Sequence, residues 1–95
     1  MNNKYNTLRL YITGITVENQ EAIILLKQRL QKELGNDYKL EIIDIFQNPE
    51  LADGDKIIAT PTVVRDMPGN ICKVIMDFST KERILMGLDH LFKEV

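Results

Sequence analysis

The sequence predicts a single α/β domain with the element order βαβ, then α, then ββα. Three observations carry that order. Leu8, Leu10 and Ile12 alternate with Arg9 and Tyr11, the period of a strand with one face on a core. Ile23, Leu26, Leu30 and Leu34 then recur at helical spacing, and Leu40, Ile42, Ile43, Ile45 and Phe46 follow as a nearly continuous apolar run. Pro49, Pro61 and a Ser-x-x-Glu spacing at Ser79 divide the remainder into a short helix, two strands and a last helix.

The first strand is expected at about Thr7 to Thr13, with Gly14 breaking it. Thr16 can cap the long helix, which should end near Gly35-Asn36. The second strand, Leu40 to Phe46, reads as buried on both faces because its apolar residues do not alternate with polar ones. Strand, helix and strand form a βαβ unit, which is normally right-handed. Asn48 can accept a backbone N–H as N-cap, and Pro49 suits the first helical turn, where its missing N–H costs nothing. A short helix from about Pro49 to Ile57 follows. Pro61 stands before a β-branched run, where its fixed φ and absent donor fit the first residue of a strand or a cis turn. A helix start joined in this way to Thr60-Pro61 resembles a thioredoxin-type scaffold.

Two short strands come next, Thr62 to Arg65 and Ile71 to Phe78, with Pro68-Gly69 as the hairpin turn. Ser79 and Glu82 have the spacing of a capping box, opening a helix over Ile84, Leu85, Leu88, Leu91 and Phe92 to the end of the chain. Gly87 falls in the middle of that helix, where glycine costs about 0.5 to 1 kcal/mol relative to alanine. Tight packing against the sheet would explain it. The run Ile84-Leu-Met-Gly-Leu88 is also short enough for a strand, so the second half is weakly specified locally.

The 95 residues suit one domain spanning 1–95, without repeat, linker or low-complexity tract. A formal net charge of −2 argues against a nucleic-acid binder driven by phosphate neutralisation and favours protein partners. No apolar run approaches the roughly 18 residues of a membrane helix, and the N-terminus lacks the apolar core of a signal peptide. Cys72 is the single cysteine, so no intrachain disulfide can form. A soluble, cytoplasmic protein is expected.

Catalytic chemistry finds little support. Redox work of the thioredoxin kind needs a low-pKa thiolate beside a second thiol at the start of the first helix, where this chain has Thr13-Gly14-Ile15-Thr16. Cys72 falls inside a strand, where an isolated cysteine behaves as a small hydrophobe. Gly14 lacks the companions of a phosphate-binding turn. His90 follows Asp89, but helix neighbours point about 100° apart and do not form a catalytic pair. Glu50, Asp53 and Asp55 lack the ordered spacing of a calcium loop, whereas acidic residues at a helix end can steer a basic partner. No enzyme activity, metal or cofactor is expected.

Four blocks resemble the KaiB family of clock-associated proteins: L-R-L-Y-I-T-G from Leu8, I-I-D-I from Ile42, N-P-E-L-A-D-G-D-K-I-I-A-T-P-T from Asn48, and K-E-R-I-L-M-G-L-D from Lys81. The resemblance implies a non-enzymatic protein that binds the hexameric ATPase KaiC and alters its phosphorylation and ATPase cycle. It also implies two folds, a thioredoxin-like partner-binding monomer and an alternative oligomer, dimer or tetramer, with the second half rebuilt. Asn48, Pro49, Glu50, Asp53, Asp55, Lys56 and Pro61 are the implied partner-binding residues, and Gly87 and Asp89 the implied switch positions. Where cyanobacterial relatives typically have Ala and Lys in the second strand, this chain has Lys39 and Glu41, which argues against binding a KaiA-like third component. Asn6 and Met76 also depart from the family pattern, which usually has Tyr and Gly there. The role implied is in a circadian clock, a simpler timer or a stress response. A thioredoxin-like redox protein and the docking domain of a sensor kinase are the alternatives.

Overall fold

The computed structural model describes residues 6–67 and 70–93. Its elements are β1 (Asn6–Ile12), α1 (Val17–Leu34), β2 (Tyr38–Asp44), α2 (Pro49–Gly54), β3 (Thr62–Met67), β4 (Asn70–Ile75) and α3 (Lys81–Leu91). The order βαβ, α, ββα is as expected. The four strands lie side by side as β2-β1-β3-β4, with β1 parallel to β2 and antiparallel to β3, and β3 antiparallel to β4. The expected Pro68-Gly69 turn lies outside the described residues, although Met67 and Asn70 on either side of it are paired. Among the described residues, no helix is long and apolar enough to cross a membrane.

Alternation along β1 sends its side chains to two separate cores. Leu8, Leu10 and Ile12 face α1 and α3, where they meet Ala22, Leu26, Leu30, Ile84, Leu88 and Leu91. Tyr11 points to the opposite face and packs with Ile43 and Val64 beneath Ala52 and Ile57, around α2. This interior strand is thus covered on both sides.

The strand expected to be buried on both faces is β2, and the sheet corrects that reading. β2 is an edge strand, with Lys39, Glu41 and Ile42 exposed and Ile43 alone fully buried. Its apolar run also outlasts the strand: β2 ends at Asp44, whose carboxylate accepts the Phe46 N–H at 2.9 Å, and Phe46 is turned out to solvent. An apolar run cannot reveal which strands flank it, and it is the flanking strands that set its burial.

Capping differs in two places. Asn48 makes no side-chain cap bond, so Pro49 at the first helical turn is what marks the start of α2. At α3 the cap is Thr80, whose hydroxyl accepts the Arg83 N–H at 3.1 Å, instead of Ser79. Asp77 Oδ1 already takes the Ser79 N–H at 2.9 Å, so the helix begins one residue later than the Ser79–Glu82 spacing implies. The expected cap of α1 is present, Thr16 accepting from Asn19 N at 3.0 Å.

The far end of α3 is tied down by two arginines. The Arg65 guanidinium lies 4.7 Å from the Phe92 ring centroid and donates to the Leu91 carbonyl at 3.1 Å; Arg29 lies 5.6 Å from the same ring and pairs with Asp89 at 2.9 Å. Near its middle, Gly87 is buried under the side chain of Met76, and a Cβ there would meet the Met76 Sδ at 2.5 Å. Tight packing therefore accounts for this glycine. Gly87→Ala should gain less than the roughly 1 kcal/mol that helix propensity alone would supply, because Met76 must move. In a Gly87→Ala, Met76→Ala cycle followed by urea unfolding, the two changes should be non-additive, with alanine at 87 more favourable once Met76 is gone. Additivity would show that Met76 accommodates the methyl group without strain.

Candidate functional site at the α2 surface

The site begins with the way α2 ends. The Lys56 N–H donates to the Asp53 carbonyl at 3.1 Å and the Ile57 N–H to the Ala52 carbonyl at 3.0 Å, with Lys56 in the left-handed region at φ 55°. This pair of bonds is a Schellman motif, closed by packing of Ile57 and Ala52 in the same small core. A lysine takes the position that glycine would occupy at least strain. The helix therefore stops at Gly54 and does not reach Ile57 as expected.

That stop aims Asp55 inward. Its carboxylate receives Arg9 Nε at 2.6 Å and Arg9 Nη2 at 3.1 Å, a two-pronged pairing, and also accepts the Tyr11 hydroxyl proton. The Leu51 carbonyl lies 3.1 Å from the same hydroxyl, and Lys73 on β4 donates to the Asp55 carbonyl at 2.9 Å. Arg9 also approaches Asp66 at 3.8 Å. Burial opposes the charge on Asp55, but the hydrogen bonds from Arg9 and Tyr11, with the nearby positive charges of Arg9 and Lys73, outweigh it and hold the carboxyl below the ordinary aspartate range. Burial, together with the hydrogen bond to Asp55 and its charge, pushes Tyr11 up to about 12.

The expected partner-binding residues thus divide. Pro49, Glu50, Asp53 and Lys56 are exposed, Asn48 is half-buried at the start of α2, and Asp55 is turned into the network beneath. Pro61 is half-buried at the mouth of β3, following a cis Thr60–Pro61 peptide bond. Lys39 and Glu41 share the sheet face of Arg9 and Tyr11, on the exposed edge strand. Gly87 and Asp89 lie on α3, across the sheet.

Arg9 and Tyr11 were absent from the expected site. The signal was present: both fall on the far face of the strand from Leu8 and Leu10, and a charged residue at a covered position requires a partner. Also unforeseen are the apolar residues beside the acidic ones. Ile58 is 89% exposed, Phe46 75% and Leu51 45%, and Ile71 and Ile75 on the same sheet face of β4 are exposed too. Among the described residues, no group of histidine, cysteine or carboxylate side chains is gathered that could hold a metal ion. Charged and apolar groups presented above an ion-paired network suit recognition of a protein surface.

Asp55→Asn should lower stability by about 1 to 3 kcal/mol at neutral pH. Because the folded carboxyl lies below its ordinary value of about 3.9, the native advantage is fully present above that pH and disappears as the pH falls through the depressed value. Urea midpoints across acid pH should show the two proteins converging. In an alkaline absorbance titration, the tyrosinate appearing at about pH 12 should move downward in the variant.

A model of the KaiB domain matches residues 9–90. The circadian clock oscillator protein KaiB of Prochlorococcus marinus is 42% identical over 88 residues, covering 93% of this chain and 75% of its own. The protein of the same name from Nostoc sp. is 42% identical over 92 residues, covering 97% and 85%. Among solved structures, the N-terminal domain of Synechococcus elongatus SasA matches with a TM-score of 0.69 at 18% identity, over 97% of this chain and 89% of that one. Chloroplastic thioredoxin z matches with a TM-score of 0.63 at 18% identity, over 93% and 79%. At these identities the structural likenesses establish the fold, which is thioredoxin-like. The domain match runs from the arginine that holds Asp55 to the histidine near the end of α3, and the chain belongs to the KaiB domain family.

Proposed function

We propose that this protein is a non-enzymatic regulator that binds a KaiC-like hexameric ATPase through the α2 surface and so modulates its phosphorylation and ATPase cycle. One observation carries the reading: Glu50, Asp53, Leu51 and Ile58 project outward from a turn that Asp55 anchors to Arg9 and Tyr11. An apolar patch rimmed by carboxylates, held rigid before contact, reduces the ordering cost of association. Kinship with circadian clock oscillator proteins supports a role in a clock, a timer or a related stress response in the cytoplasm. The redox alternative lacks a paired thiol, because Cys72 is the single cysteine.

The proposal extends to a second, oligomeric conformation in which the β3-β4-α3 half is rebuilt, with Gly87 and Asp89 among the residues that set the balance. The Met76 contact over Gly87 and the Arg29–Asp89 ion pair belong to the docked position of α3, so they favour the thioredoxin-like state over any state lacking them.

Calorimetry against a KaiC-like hexamer tests the interface. Leu51→Ala with Ile58→Ala should weaken binding about tenfold or more, as for apolar anchors near an interface centre. Glu50→Lys with Asp53→Lys should mainly slow association and change its salt dependence. Unchanged affinity and kinetics across both pairs would remove α2 from the interface. The exposed Lys39 and Glu41 alter the charge that β2 presents to a KaiA-like third component. Gel filtration of this protein with a KaiC ring and cyanobacterial KaiA should yield no ternary peak, and stable co-elution of all three would sink that reading.

A further inference from the structure

A groove of about 410 Å³ lies between α1 and the start of α3, across the sheet from α2. Its floor contains Ile24, Leu25, Phe78 and Ile84. The buried stripe of α1 is Ala22, Leu26 and Leu30, so the core has no use for Ile24, which is 56% exposed. One wall carries Glu18 and Glu21, the other Lys81. None of these three pairs with an opposite charge among the described residues. We propose that this groove docks a short amphipathic segment of a partner protein, which inserts an apolar side chain against Ile24 and sets a lysine or arginine against Glu18 and Glu21.

The charge arrangement selects that occupant. Two free carboxylates on one wall attract a cation, and the single ammonium of Lys81 on the other repels one, so the segment enters in one direction. An apolar floor with charged margins is the form of a groove that takes an amphipathic helix. This site is spatially distinct from the α2 surface, so loss of one need not affect the other.

The test uses the full chain labelled with nitrogen-15 and two synthetic amphipathic peptides that share their apolar residues, one with lysine and one with glutamate at the charged positions. The lysine peptide should shift the amides of Glu18, Glu21, Ile24, Thr80 and Lys81 in a saturable way and bind roughly tenfold more tightly than the glutamate peptide. Ile24→Glu should abolish the response while leaving the amide spectrum dispersed, since its side chain is already largely in water. The double variant Glu18→Lys, Glu21→Lys should reverse the preference between peptides. Absence of saturable binding, equal affinity for both peptides, or shifts centred on α2 would overturn the proposal. Concentration-dependent shifts of the same amides without peptide would assign the groove to a second copy of this chain and overturn it equally.

Discussion

The carboxylate of Asp55, lodged between Arg9 and Tyr11, is the contact on which the α2 side of the molecule depends. α2 has six residues and none of them is fully buried, too little for a helix to persist on its own. It is held by a Schellman turn at one end and by the ion pair that turn makes possible. Arg9, on an interior strand and only partly exposed, would otherwise be a poorly solvated charge with only Asp66, 3.8 Å away, to meet it. Each half of the pair resolves a problem that the other half creates.

That contact also explains why the acidic residues near α2 have different surroundings although they are neighbours in sequence. Glu50 and Asp53 remain in water, without an ion-pair partner among the described residues. Asp55, two residues beyond Asp53, is a positioning residue whose charge is spent on the fold. The apolar side chains of Phe46, Leu51 and Ile58 are left exposed by the described residues. On the opposite side of the sheet, α1 and α3 cover the larger core and meet a second set of constraints, in which Arg29 and Arg65 flank Phe92 and Met76 closes over Gly87.

Most of the element order was legible because period and punctuation report on local structure. Leu8, Leu10 and Ile12 marked β1, Thr16 capped α1 as its hydroxyl allowed, and Pro49 and Pro61 bounded α2 and β3. The apolar run from Leu40 to Phe46 has the composition of a doubly covered strand, yet coverage depends on which strands lie alongside. Ser79 has the spacing of a cap, but Asp77 takes its N–H. α2 stops short of Ile57 at a left-handed lysine, which carries no sequence signature comparable to glycine.

The sequence by itself determined the number, kind and order of the elements, the absence of a second thiol, and the blocks that mark the KaiB domain family. All of these depend on residue identity and near neighbours along the chain. Only the tertiary structure decided that β2 is an edge, that Asp55 belongs to the scaffold while Glu50 and Asp53 face solvent, and that Gly87 is small because Met76 is above it. Those distinctions arise from contacts such as Arg9 with Asp55, 46 residues apart in the chain. No local pattern encodes such a contact, because its energy exists only once the sheet has brought the two residues together.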